Sequence, residues 1–119
     1  MDNKSKINLL TEVEYGLQDL LKSMHLHWEK MSVPKYGKYI VRCDGPTYTE
    51  LAEALKELGF DVFKSEGDFK VVATKIKGEE RAILDMTMVS PGAGPDKIEL
   101  SKVLGGKAHI ILDIVPVKA

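Results

Sequence analysis

The sequence predicts one α+β domain over residues 1–119, built on a largely antiparallel sheet. The chain has 119 residues, which is the length of a single domain. Its composition is 44% hydrophobic and 29% charged, whereas a disordered chain has fewer apolar residues and a more lopsided charge. Helix-capping signals alternate with short β-rich runs along the chain. We therefore expect a two-layer sandwich of helices on a sheet.

Three helices are predicted from the capping-box spacing, in which a Thr or Asp cap precedes a Glu by three residues. The predicted helices cover 12–32 after Thr11, 48–58 after Thr47 and 97–104 after Asp96. Their ends are predicted at Pro34, Gly59 and Gly105, because proline stops a helix and glycine accepts the left-handed conformation that follows one. Residues 1–10, before the first helix, are expected to be loosely ordered.

Five β-rich runs are predicted strands because apolar residues alternate with polar ones or cluster between turn signals. They cover 38–43, 60–64, 69–77, 81–89 and 108–115, with a hairpin turn at 65–68. The predicted order is α-β-α-β-β-β-α-β, and four to five of these strands form the sheet. Without the first helix and one strand, this order resembles the split-βαβ, ferredoxin-like topology. A resemblance in topology implies no activity.

The long first helix is predicted to bury one apolar stripe. The stripe consists of Val13, Leu17, Leu20, Leu21, Met24, Trp28 and Met31. In one interpretation the helix docks on its own sheet, where the second face is too apolar to be left open to water. That face carries Ile40, Ile83, Val89, Ile111 and Val115. In the other interpretation the helix packs against a second copy, and the interaction residues are Leu17, Leu21, Met24, Trp28 and Met31.

The charge balance argues against a general nucleic-acid or anionic-membrane binder. The chain has 17 Lys and Arg against 18 Asp and Glu, a net charge of −1, whereas such binders need a surplus of cations. Its apolar runs are broken by charges, so we expect no membrane span. The first residues lead into no apolar signal region, and we expect a cytoplasmic protein. Scarce Asn and Gln with abundant Lys and Glu is a trend of heat-adapted proteins.

Polar residues on two predicted strands are the best candidates for chemistry. Should strands 81–89 and 108–115 be neighbours, Asp85 or Asp113 could orient the His109 imidazole as an acid–base pair. The alternative is a polar cluster without a catalytic role.

Cys43 is a weaker candidate for catalysis. It precedes a predicted helix, whose N-terminus could lower the pKa of a thiol. However, it alternates with Tyr39 and Val41 on a buried strand face, and the adjacent Asp44 would oppose a thiolate. A structural cysteine explains this position with fewer assumptions.

No metal and no cofactor is predicted. His25 and His27 lie two residues apart on the predicted helix, where their rings would diverge and could not share one ion. The glycine-rich loop at 90–96 lacks the phosphate-binding and dinucleotide-binding patterns.

Three classes of function remain, and we favour a non-catalytic binding or assembly domain, homo-oligomeric, with a protein partner or its own copy. The first alternative is a small enzyme or ligand-binding protein centred on His109, Asp85 and Asp113. The second is a single-stranded nucleic-acid module, since aromatic residues and lysines are interleaved in 36–39 and 63–70. Glu66 and Asp68 lie among those residues and disfavour it.

Overall fold

The structure is a computed structural model that describes residues 8–33, 35–65, 69–89 and 105–117. Its elements in chain order are α1 (Leu9–Ser23), β1 (His27–Met31), β2 (Gly37–Arg42), α2 (Gly45–Glu57), β3 (Asp61–Lys64), β4 (Lys70–Lys77), β5 (Glu80–Val89) and β6 (Lys107–Pro116). The predicted helix at 97–104 and the predicted loop at 90–96 lie outside the described residues, and so do residues 1–7. Leu9 and Leu10, which were expected to be loosely ordered, belong to α1.

The six strands form one antiparallel sheet in the order β1-β2-β6-β5-β4-β3. This confirms the α+β class, and the five predicted strands match β2 to β6 to within one residue at each end. The sheet has six strands rather than four to five, because β1 was not predicted. The ferredoxin-like topology is not confirmed, since α2 joins β2 to β3 and three strands lie between these two in the sheet.

The prediction of a helix over 12–32 is wrong at both ends. The helix begins at Leu9, because Asn8 is the N-cap and accepts a hydrogen bond from the Thr11 amide at 2.8 Å. It ends at Ser23, and His25 then adopts a left-handed φ of 58°. Residues 27–31 pair with β2 over five positions. The sheet therefore overrides the local helical spacing, since antiparallel pairing with β2, the next strand in the chain, satisfies their backbone groups.

The second helix also starts earlier than predicted, because its N-cap lies upstream of the predicted Thr. Asp44 is the N-cap and accepts from the Thr47 amide at 3.1 Å, so Thr47 lies inside the first turn. The predicted end is confirmed, because Gly59 follows α2 with a φ of 93°. A left-handed residue at this position would strain any side chain with a Cβ.

Both helices cover the same face of the sheet. The α1 residues Leu9, Val13, Leu17 and Leu21 form one core with buried side chains of α2, β2, β4, β5 and β6. The expectation that the first helix shields the face of Ile40, Ile83 and Ile111 is therefore wrong. On their strands these residues alternate with the buried Tyr39, Leu84 and Ile110, and so point away from α1.

A buried tyrosine joins α1 to β2. The Tyr39 hydroxyl donates to Glu14 and accepts from the Gln18 amide, both at 3.1 Å, and Lys30 of β1 pairs with Glu14. Trp28 reaches this cluster from β1, with its ring centroid 5.7 Å from that of Tyr39. Burial raises the pKa of Tyr39 to about 12, so its hydroxyl stays protonated and can donate.

A lysine of β4 fixes both helices. Lys75 lies 2.9 Å from the Glu12 carboxylate of α1, and it donates to the Leu58 carbonyl at the end of α2 at 3.0 Å. Lys77 reaches the other Glu12 oxygen at 2.6 Å. Hydrogen bonds from Lys77 and Lys75 lower the pKa of Glu12 below its ordinary value of 4.5.

Replacing Glu12 with Gln is expected to lower the free energy of unfolding at pH 7 by about 0.5 kcal/mol, the usual size for exposed pairs. Because the pKa of Glu12 is lowered in the folded state, the ionised carboxylate stabilises above pH 4.5 and this contribution is lost as the pH falls. Urea titrations at several pH values would show the E12Q variant and the parent converging in acid. A constant difference at every pH would contradict the assignment. Glu50→Gln is the control, because Glu50 has no ion pair among the described residues.

A second buried tyrosine anchors α2 to the sheet. The Tyr48 side chain is fully buried, and its hydroxyl lies 3.2 Å from the carbonyl oxygens of both Phe69 and Met86.

The replacement Tyr48→Phe is expected to cost about 1 kcal/mol of unfolding free energy, because it removes this buried donor. Tyr15→Phe, at an exposed position of the other helix, should cost nothing in the same urea titration. Equal effects of the two replacements would contradict the anchoring role.

Candidate functional site

The side of the sheet turned away from α1 and α2 is covered by no described element, and we name it the open face. Strand alternation and the register place nine apolar side chains on it. They are Met31, Ile40, Phe63, Val72, Ile76, Ile83, Val89, Ile111 and Val115. Five cations, Lys38, Arg42, Lys70, Arg81 and Lys107, and four carboxylates, Glu29, Asp61, Asp85 and Asp113, lie among them.

The apolar side chains of the open face are more exposed than those of a sheet face that packs against a core. Phe63 is 60% exposed, Ile76 53%, Met31 47% and Val89 44%, while Ile83, Ile111 and the others are partly exposed. Among the described residues, these four belong to a group of seven exposed large hydrophobic side chains. Large apolar side chains left exposed together on one face mark candidate sites of interaction. The open face is therefore the candidate site.

The polar candidates Asp85, His109 and Asp113 do come together on the open face. His109 stands directly opposite Thr87 on β5, and Asp85 stands opposite Ile111, so the imidazole and the Asp85 carboxylate are diagonal neighbours. Asp113 is diagonal to Asp85 in the same way. Diagonal partners are about 7–8 Å apart. In the described part of the chain, no hydrogen bond joins His109 to either carboxylate.

The surroundings of His109 favour the neutral imidazole. Partial burial lowers the pKa of His109 below 6.5, and the positive charges of Lys38 and Lys107 act in the same direction. Asp113 is engaged elsewhere, with Lys35 at 3.4 Å and the Ile114 amide at 2.9 Å. A neutral imidazole can accept a proton. The carboxylate that would orient it as a base is not bonded to it.

Cys43 lies on the buried side of the sheet, where it is only 8% exposed and its amide donates to the Gly106 carbonyl. Burial raises the pKa of the Cys43 thiol to about 11, and the Asp44 charge contributes in the same direction. A thiol with this pKa is a poor nucleophile at neutral pH. A surface hollow of about 380 Å³ lies beside it, between Arg42 and Lys107.

The predicted interaction residues divide between the two faces. Leu17 and Leu21 are buried in the chain's own core, and Met24 and Trp28 pack against that core. Only Met31 reaches the open face, from β1. Sequence reasoning missed Glu29 as a site residue, and it proposed Lys38 and Lys70 only for a nucleic-acid surface. The signal that could have revealed the open face as a site is the presence of apolar residues on both sides of strands 81–89 and 108–115.

The residues of the predicted nucleic-acid surface do not form one platform. Tyr39 is buried under α1, and Lys64 pairs with Glu53 at 2.6 Å. Phe63 is exposed on the edge strand β3, whereas Tyr36 precedes β2, which lies four places away in the sheet. Successive stacked bases need neighbouring aromatic rings.

The histidines near α1 are not on a helix as predicted, since His25 follows α1 in a turn and His27 starts β1. His25 lines a groove of about 320 Å³ together with Trp28 and the last turns of α1. Within the described ranges, no three His, Cys, Asp or Glu side chains gather as metal ligands would. The helices in those ranges are also too short or too polar to cross a membrane.

Comparisons with known proteins give no family for this chain. No family model, no curated protein and no solved structure matches it.

The replacement Lys38→Met is expected to raise the pKa of His109, because it removes one of the two positive charges that lower it. Titration of the imidazole followed by NMR measures this directly. Lys22→Met, on the far side of the sheet, is the control and should leave the titration unchanged.

Asp85→Asn distinguishes a catalytic pair from a polar cluster without a catalytic role. A fall in the pKa of His109 larger than the Lys38 effect would show that Asp85 orients the imidazole after all.

Proposed function

We propose that this chain is a non-catalytic binding and assembly module that works through its open face. The observation that carries the proposal is the set of nine apolar side chains on a sheet face that no described element covers. Covering such surface is favourable by about 25 cal/mol per Å². A protein surface docked on this face would therefore gain from every one of these residues.

The placement of the catalytic candidates supports the same proposal. Cys43 is buried with a raised pKa, and His109 has no bonded carboxylate among the described residues. Some of the side chains that line the hollows beside Cys43 and His25 already have structural roles. We place the module in the cytoplasm, since small secreted domains are usually held by disulfides and this chain has one cysteine. The scarcity of Asn and Gln supports a heat-adapted source.

A photo-crosslinking amino acid tests the proposal. Benzoylphenylalanine in place of Thr87 stands in the middle of the open face, and in place of Glu50 it stands on the exposed side of α2. Irradiation of the host cells is expected to join the Thr87 variant to a protein, and to leave the Glu50 variant free. Mass spectrometry of the adducts measures this.

Two outcomes would contradict the proposal. One is the absence of any adduct specific to the Thr87 position. The other is an adduct within the same chain, for example onto residues 90–104, which would mean that the chain covers its own sheet.

A small enzyme or ligand-binding protein is the second candidate, favoured by the diagonal row of Asp113, Asp85 and His109 on adjacent strands. A ligand there would meet one neutral imidazole and two carboxylates on a partly apolar floor. The titration of His109 in the Asp85→Asn variant, described above, tests it.

A further inference from the structure

We propose that the occupant of the open face is a second copy of this chain, packed face to face about a two-fold axis that runs along β6. This inference rests on the proposed function, because it names the partner of the same surface. The two sheets would then form the centre of a four-layer dimer, with the helices on the outside.

The area of the open face suits a stable dimer. With β6 on the axis, the five strands β1-β2-β6-β5-β4 overlap between the copies and β3 lies beyond the overlap. Five strands spaced about 4.8 Å apart span roughly 19 Å, and ten residues of β5 at about 3.4 Å each extend roughly 34 Å. The product is at most about 650 Å² per copy, which lies at the lower end of what a standard protein interface buries on each side.

The row of residues through Ile111 is complementary about β6, because positions one strand away carry opposite charges and positions two strands away are both apolar. Ile111 lies on the proposed axis, with Lys38 on one neighbouring strand and Asp85 on the other. One strand further out stand Met31 on one side and Val72 on the other. A two-fold rotation about β6 therefore places Lys38 of each copy opposite Asp85 of the other, and Met31 opposite Val72.

The next row repeats this symmetry around His109. Its immediate neighbours are Ile40 and Thr87, and beyond them stand Glu29 on β1 and Lys70 on β4. The same rotation places Glu29 of one copy opposite Lys70 of the other. Together the two rows supply four ion pairs between the copies, because each pair occurs twice in a symmetric interface.

Two charged residues lie on the axis and would face their own counterparts. Asp113 already pairs with Lys35, which offsets its charge. Lys107 is exposed at the first position of β6, where the copies end and water screens it. The balance of five cations and four carboxylates also disfavours a polyanion as the occupant, because a nucleic acid needs a surplus of cations.

Charge reversal tests the inference, because only a contact between two copies predicts that two weakened variants bind each other. Sedimentation equilibrium of the parent protein is expected to give a dimer, twice the 13.2 kDa of one chain. Lys38→Asp and Asp85→Lys should each weaken dimerisation at least about tenfold, since like charges then face each other across the interface. An equimolar mixture of the two variants should form a heterodimer. In that mixture one copy carries a carboxylate at both positions and the other an ammonium at both, so opposite charges face each other again.

Lys22→Asp, on α1 away from the open face, is the matched control and should remain a dimer. Isotope-filtered NOEs between the Ile111 methyl groups of differently labelled copies give a second measurement on the parent protein, independent of the variants. A monomeric parent in the micromolar range, or a dimer that both reversals leave intact, would overturn the inference. If the parent is monomeric while the Thr87 crosslinker still captures another protein, the second-copy inference fails and the binding module stands.

Discussion

A strand presents its side chains alternately to two faces, and two helices can cover only one face of this sheet. This constraint explains why one apolar face of the sheet is buried and the other is exposed. Strands β2, β4, β5 and β6 are apolar on both faces, with Leu84 and Ile110 under the helices and Ile83 and Ile111 on the other side. Because α1 and α2 lie together on one side, the second apolar face is left without a described cover. The proposed function rests on what can occupy that face.

Polar contacts decide which face the helices take. Buried tyrosines attach one helix to β2 and the other to the β4–β5 pair, and Lys75 joins the ends of both helices to β4. The side chains of Tyr39 and Lys75 lie on the helix side of their strands, so a helix on the other face would lose these hydrogen bonds. Each lost hydrogen bond costs about 1 kcal/mol. These contacts therefore stabilise the helices on the face that they cover.

The sequence predicted what local rules control and missed what strand pairing controls. Strands β2 to β6 were located to within a residue, since β-rich runs bounded by turn residues are a local signal. The stretch 27–31 has helical spacing, but pairing with β2 makes it a strand, and only the partner strand reveals that. The caps were placed three residues late because Asn8 and Asp44 compete with the Thr residues that follow them. The candidate site was half predicted: His109, Asp85 and Asp113 do share a face, but the strand order that makes this face open is set by nonlocal contacts.

The charge of the chain has a different meaning once it is placed on the sheet. A net charge of −1 argues against polyanionic partners, whereas in the proposed dimer the positions of the charges on the open face would select the partner. The apolar side chains supply most of the driving force for docking but no register, because one isoleucine packs against another at many offsets. In the proposed dimer, Lys38, Asp85, Glu29 and Lys70 would supply the register, since sliding the copies by one strand would bring Lys38 opposite Ile111 and leave buried charges without partners. The net charge of the chain does not reveal these four residues, but in the proposed dimer they would decide which partner fits the face.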